Sequence, residues 1–273
     1  MAHLSDLARM LTGRRVAVLT GAGCSTESGI PDYRGPETLR RARNPIRFQQ
    51  FVGDPAWRQR YWARSFVGWP RIRDARPNPA HRALAAMGEA GLLTGLITQN
   101  VDRLHHKAGS GEVTELHGAL AEVVCLGCGA VSAREALQRR LAAQNPGFSL
   151  PAPVEAAPDG DAELDATAGF TPADCERCGG ALKPHVVFFG ENVPRPRVDA
   201  AFAAVADAQA LLVVGSSLAV FSGWRFVKRA HEAGLPVGLL NLGASRGDPQ
   251  ATVKVEARAG EALPALAHLL GAR

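Results

Sequence analysis

VAVLTGAGCSTESGIPDYR, residues 16–34, decides the fold. Its first five residues, Val16 to Thr20, are apolar or β-branched and read as a buried strand that runs straight into a glycine-rich turn. Glycines after a first strand let the backbone approach a phosphate, and the helix start behind them offers free N–H groups. Position 26 is Thr, so the third glycine of a G-x-G-x-x-G is absent. No strand-ending acid stands about 20 residues further on to hold a ribose, so an ordinary dehydrogenase site fits poorly. Ser25, Asp32, Tyr33 and Arg34 follow closely and bring hydrogen-bonding, stacking and phosphate-pairing groups into the same loop.

Working outward, similar short apolar runs occur at 92–98, 112–116, 185–189, 210–215, 237–241 and 252–255. Helical patterns separate them at 79–89, 198–207, 223–233 and 261–270, and residues 4, 7, 8 and 11 share one face of an amphipathic N-terminal helix. The runs are continuously apolar rather than alternating, as strands covered on both faces should be. The expectation is an α/β fold, a parallel sheet with helices on both faces. Two regions break the rhythm. Residues 35–77 are rich in Arg and aromatics and predict helices packed beside the sheet. Residues 125–178 hold the cysteine pairs, with a Pro-, Ala-, Gly- and Asp-rich loop or insertion at 145–172.

The stretch TQNVDRLHHKAGSGEVTELHG, residues 98–118, follows a strand-like run and collects Gln99, Asn100, Asp102, His105, His106 and His117. Polar side chains at the end of a parallel strand lie where open α/β sheets bind ligands. His117 precedes Gly118, which permits close approach of a substrate, whereas His105 and His106 fall in a helical run and read as core or surface residues. Cys125-x2-Cys128 and Cys175-x2-Cys178 supply four thiolates, the closed set of a structural zinc, and a closed set leaves no open position for catalysis. Cys24, inside the turn, reads either as a small residue tolerated there or as an oxidation-sensitive thiol.

Composition sets the bounds. The chain has 273 residues, 46% hydrophobic and 21% charged, enough for one large domain with a small satellite. No apolar run of about 18 residues occurs, and the N-terminus does not resemble a secretory leader, so neither a membrane partner nor export is expected. Cysteines paired for a metal rather than a disulfide framework point to a reducing, cytoplasmic setting. The net charge is +5, with four lysines against 27 arginines, a balance that suggests a GC-rich bacterial genome. The acidic residues Asp159, Asp161, Glu163 and Asp165 near the cysteine pairs argue against nucleic acid as a partner.

The ordered set GAGCSTESGIPDYR, TQNVDRLHHKAG, ELHG, KPHVVFFGE, GSS and NLG, with the cysteine pairs between the second and fourth blocks, resembles the sirtuins. These are NAD-dependent protein deacylases of the silent-information-regulator family. RQRYWARSFVGWP, PNPAH and Tyr33 are similar to the class II branch, which includes a mitochondrial sirtuin of animals.

The resemblance implies a Rossmann-like domain (1–34, 78–119 and 183–273), a helical cofactor-loop segment (35–77) and a zinc module (120–182). NAD, a consumed co-substrate, and an acyl-lysine peptide would occupy the cleft between them. Gly21, Ala22, Gly23 and Ser25 would face the cofactor phosphates, and Asp32, Tyr33 and Arg34 would sit on the mobile cofactor loop. Gln99 and Asn100 would bind ribose and water, and Val101 and Asp102 the nicotinamide amide. Gly215, Ser216, Ser217, Asn241, Leu242, Gly243 and Ala259 would hold the adenosine half. Val187, Phe188, Phe189 and Gly190 would pair as a strand with the peptide. His117 would be the general base, with Asn100 beside it, giving nicotinamide, O-acyl-ADP-ribose and free lysine. An alternative is mono-ADP-ribosyl transfer from the same NAD site. A Tyr and Arg pattern associated with acidic acyl groups does not transfer to LRRARN, residues 39–44, so the acyl group stays open.

Overall fold

The computed structural model describes residues 2–33, 45–148 and 167–272. Six parallel strands form the main sheet: β1 (Val16–Thr20), β2 (Leu93–Thr98), β3 (Val113–Glu115), β7 (Ala210–Val214), β8 (Val237–Leu240) and β9 (Val253–Val255). Their order is β3-β2-β1-β7-β8-β9. In that order the chain winds outward from β1 in one direction, then crosses over β1 to β7 and winds outward in the other. This is the doubly wound Rossmann arrangement, and the reversal between β1 and β7 opens a crevice at their carboxyl ends.

Burial explains why these runs are strands. Every residue of β1, β7 and β8 is buried, which requires cover on both faces. On one face lie α1 (Ala2–Leu11), α4 (Pro79–Glu89) and α9 (Ala259–Leu269), joined to the sheet through Leu7, Leu11, Leu84, Leu263 and Leu266. On the other lie α7 (Arg195–Ala206) and α8 (Phe221–Glu232), through Val205, Phe226 and Val227.

A third core belongs to a smaller unit. An antiparallel sheet of order β5-β4-β6 is built from β4 (Gly118–Cys125), β5 (Val131–Ala133) and β6 (Leu182–Val186). It packs with α2 (Phe48–Gly53), α3 (Pro55–Asp74) and α6 (Arg134–Gln144) around Phe51, Trp62, Leu141 and Phe170. Arg134 is buried with its guanidinium 5.4 Å from the Trp62 ring and 5.3 Å from that of Trp69, which fastens α6 to α3. Helices expected within 35–77 are present as α2 and α3, but they pack against the small antiparallel sheet rather than beside the main sheet, because their aromatic side chains share its core.

Two further expectations need correction. The run at 185–189 is not a strand of the parallel sheet. The strand lies earlier, at Leu182–Val186, in the small antiparallel sheet. Beyond it the chain turns, because the Phe188 N–H donates to the Glu191 carboxylate at 2.9 Å and Gly190 adopts φ +85°. Val187, Phe188, Phe189 and Gly190 thus form a coil and turn rather than a ready edge strand. Second, β4, β5 and α6 lie where no elements were expected. Arg34, the run 39–44 and residues 149–166 of the expected insertion fall outside the described residues.

Candidate active site and metal centre

A cleft of about 710 Å³ opens at the switch point between β1 and β7. Its floor is two interlocked turns. A Cβ on Gly21 would lie 2.7 Å from Ser216 Cβ, and one on Gly23 2.9 Å from Gly215 Cα. Gly215 has φ +60°, and a Cβ there would meet the Cys24 nitrogen at 2.3 Å. The two turns are therefore pressed together with no room for a side chain on these glycines, and with only the short Ser25 and Ser216 side chains beside them the floor suits a phosphate group.

The β2 carboxyl end supplies the next layer. The Gln99 N–H donates to Thr20 O at 3.0 Å and its side-chain amide to Ser216 Oγ at 2.9 Å. Asn100 Nδ2 donates to Gly21 O and to Ser25 Oγ, both at 3.0 Å. The Ser25 hydroxyl in turn donates to Asp102 Oδ2 at 2.7 Å, and the Leu104 N–H donates to Asp102 Oδ1 at 2.8 Å. Burial raises the Asp102 carboxyl above the usual range, and the Leu104 and Ser25 hydrogen bonds oppose the rise.

His117, half-buried, leaves β3 and faces the cleft. Its Nδ1 lies 2.9 Å from Gln99 O. A carbonyl oxygen can only accept, so Nδ1 carries the proton and Nε2 keeps its lone pair. Nε2 accepts from Ser222 Oγ at 2.8 Å. Burial lowers the His117 pKa; the Gln99 bond resists this, while the Arg197 and Arg225 charges add to it. The result is a neutral imidazole with its basic nitrogen in the cleft, the state a general base needs.

Among the expected site residues, Gly21, Ala22, Gly23, Ser25, Asp32, Tyr33, Gln99, Asn100, Val101, Asp102 and His117 all line this one cleft. So do the stretch 187–190, Gly215, Ser216, Ser217, Asn241, Leu242 and Ala259. Gly243 does not, because its N–H is turned toward Glu256 at 3.0 Å. Sequence reading missed Ser222 and Arg225, which no spacing rule ties to His117. It also missed Asn78 and His81, although both lie in the quoted PNPAH block. The Asn78 amide donates to Cys24 O at 2.8 Å, and His81 Nε2 stands 3.4 Å from Ser25 Oγ. Together they support the glycine turn from beneath. His105 is buried, with Nε2 2.9 Å from Thr20 Oγ1, and the exposed His106 faces Glu115. Neither reaches the cleft lining, as expected.

The four paired cysteines lie with their sulfurs within 4.8 Å of one another. Each pair sits in a matching knuckle: Gly129 N–H bonds Cys125 O, and Gly179 N–H bonds Cys175 O. Gly129 and Gly179 have φ near +70°. The Cys128 and Gly127 N–H groups bring the Cys125 thiol down to about 6. The Gly180 N–H favours a Cys178 thiolate, but Cys125 and Cys128 push that thiol up to about 12. Four sulfurs so crowded share few protons comfortably, and a tetrahedral zinc ion fits this donor set.

A model of the Sir2 family matches residues 21–222. The chain belongs to the Sir2 family. It is 53% identical, over 98% of its length and 96% of the relative's, to NAD-dependent protein deacetylase 1 of Mycobacterium avium. It is 49% identical, over 96% of its length and 84% of the relative's, to the mitochondrial NAD-dependent protein lipoamidase sirtuin-4 of Bos taurus. A solved complex of Sir2 with p53 peptide and NAD+ matches with a TM-score of 0.78 at 30% identity, covering 98% of each chain. The cleft of this Sir2-family chain is thus set on a fold shared over nearly the full length of the Sir2 chain in that complex.

Proposed function

We propose that this chain is an NAD-dependent protein-lysine deacylase. The observation that carries the reading is His117, a neutral imidazole with its Nε2 lone pair in a cleft floored by two interlocked glycine turns. NAD, when bound, supplies the ribose carbon that accepts the acyl oxygen and the hydroxyl that the base deprotonates. The chain's own residues do the rest. Gly21, Ala22, Gly23 and Ser25 would face the pyrophosphate, and Gly215, Ser216, Ser217, Asn241, Leu242 and Ala259 the adenosine half. Gln99 and Asn100 would orient the ribose, and Val101 and Asp102 the carboxamide. Asp32, Tyr33 and Arg34 would cover the cofactor and exclude water. His117 Nε2 would take the ribose hydroxyl proton, with Gln99 O holding the ring in register.

The acyl-lysine peptide would lie along Val187, Phe188, Phe189 and Gly190, with its acyl chain against buried Leu120, Val186 and Phe188. The small module, held by one zinc on Cys125, Cys128, Cys175 and Cys178, would form the second wall. A cluster of reduced thiols suits a cytoplasmic setting.

The test offers full-length protein and NAD a panel of acyl-lysine peptides and measures nicotinamide release with peptide mass. Release coupled to loss of the acyl group supports the reading. ADP-ribose left on protein, with the acyl group intact, would favour mono-ADP-ribosyl transfer. No release with any peptide would overturn deacylation.

A further inference from the structure

Beside the base stands a cation for which the proposed reaction has no use. Ser222, bonded to His117 Nε2, opens α8, and Arg225 follows three residues later on the same face. Arg225 lines the cleft. Its Nε is buried without a hydrogen-bond partner, and no acidic side chain pairs with it among the described residues. The guanidinium instead stands 5.2 Å over the Phe221 ring, which fixes its position. Two of the cleft's acids are engaged elsewhere, Glu191 with Lys183 at 2.9 Å and Asp102 with Ser25. A desolvated donor of this kind needs an acceptor, and a charged one is best satisfied by a carboxylate.

The position decides which carboxylate. Phe221 is 54% exposed, and Val220 and Phe189 are also exposed, so Arg225 belongs to the mouth of the cleft. The buried inner wall of Leu120, Val186 and Phe188 is apolar and suits an acyl chain. We propose that Arg225 is a subsite for a carboxylate of the substrate protein, an Asp or Glu side chain adjacent to the acylated lysine. The inference rests on the deacylase reading and deepens it into a preference for acylated lysines in acidic sequence.

The experiment compares full-length protein on acetyl-lysine peptides carrying Glu or isosteric Gln at each of three positions on either side. A second arm compares acyl chains ending in a carboxylate with chains of equal length ending in a methyl. The expected result is a kcat/KM about tenfold higher for one or more Glu peptides, the size of one charge-assisted hydrogen bond. That ratio should shrink as salt is raised, fall to near one in Arg225→Gln and recover in part in Arg225→Lys. Should Arg225→Gln fail to fold, the wild-type ratio and its salt dependence still decide. Equal turnover of Glu and Gln peptides at low salt would overturn the subsite while leaving deacylation standing. So would a variant that keeps the ratio and changes only the KM for NAD. A preference confined to carboxylate-ended acyl chains would move the anion into the acyl channel and overturn the peptide assignment. Failure to turn over any peptide would remove the deacylase reading, and this inference with it.

Discussion

The Glu27 carboxylate accepts the main-chain N–H of Gly260, although 233 residues separate them in the chain. The bond, 2.6 Å long, ties the turn behind the glycine cradle to the first turn of α9. Gly260 tolerates this because a Cβ there would stand 2.6 Å from the carboxylate. A negative group on a helix N-terminus is also favoured by the helix dipole. Glu27→Ala is expected to lower stability by about 1 kcal/mol. Since the bond anchors one side of the cradle, it should also raise the KM for NAD more than it changes kcat. Chemical denaturation and steady-state kinetics with varied NAD check the two effects.

His117 sets the pH response. Its pKa lies below the ordinary histidine value of about 6.5. Protonation removes the Nε2 lone pair, so activity should fall only as pH drops below that value and stay level from neutrality upward. A kcat/KM profile whose acid limb sits above about 6.5 would contradict the assignment. His117→Ala should lose about 10²–10⁴ in rate with zinc content intact.

His81 should make stability pH-dependent. Burial pushes its pKa down to about 4, with the Arg82 charge adding to the shift. Between about 6.5 and 4 the unfolded chain binds a proton that the folded chain does not. The contribution is therefore complete above the unfolded value and is lost as pH falls, by on the order of 3 kcal/mol. Denaturation midpoints from pH 7 to 4 should fall less steeply in His81→Gln than in the wild type.

The zinc module should depend on its metal. One zinc per chain is expected by elemental analysis. Removing it with a chelator, or substituting Cys125→Ser, should unfold β4, β5 and β6 together, because both knuckles gather at one end of that small sheet, where β4 finishes and β5 and β6 begin. Amide exchange would locate the loss, with β1, β7 and β8 remaining protected.

Cys24 is expected to be inert. It is fully buried, and burial raises its thiol far above the ordinary range, with Asp102 and Glu27 adding to the effect. Native protein should resist alkylation at Cys24 while denatured protein reacts, as peptide mass mapping would show. Of the two readings that sequence leaves open, the structure favours the tolerated small residue.

The parallel sheet was legible because β1, β7 and β8 are buried on both faces, and double burial leaves its mark directly in composition. The small sheet was not. Pro184, a residue that argues against a strand, lies inside β6, and the pairing of β4 with β6 shifts register between Gly118 and Val123, so no regular alternation survives. The same contrast holds in the site. Gly21, Gly23 and Gly215 announce themselves because only glycine fits there. Ser222 and Arg225 carry ordinary helix residues whose meaning comes from His117, more than a hundred positions away. Gly243 was expected beside the adenosine half, but its N–H donates to the Glu256 carboxylate and it stands outside the cleft lining.

The interlocked turns at Gly21, Gly23 and Gly215 also bear on how this scaffold can be re-engineered. With these turns pressed together, the seam between the two halves of the sheet leaves no room for a larger side chain. Directed evolution toward an altered nucleotide or acyl donor would find few tolerated changes there. Its productive diversity lies at the rim, at Phe189, Val220, Phe221 and Leu242, where exposed side chains can be exchanged without moving a strand.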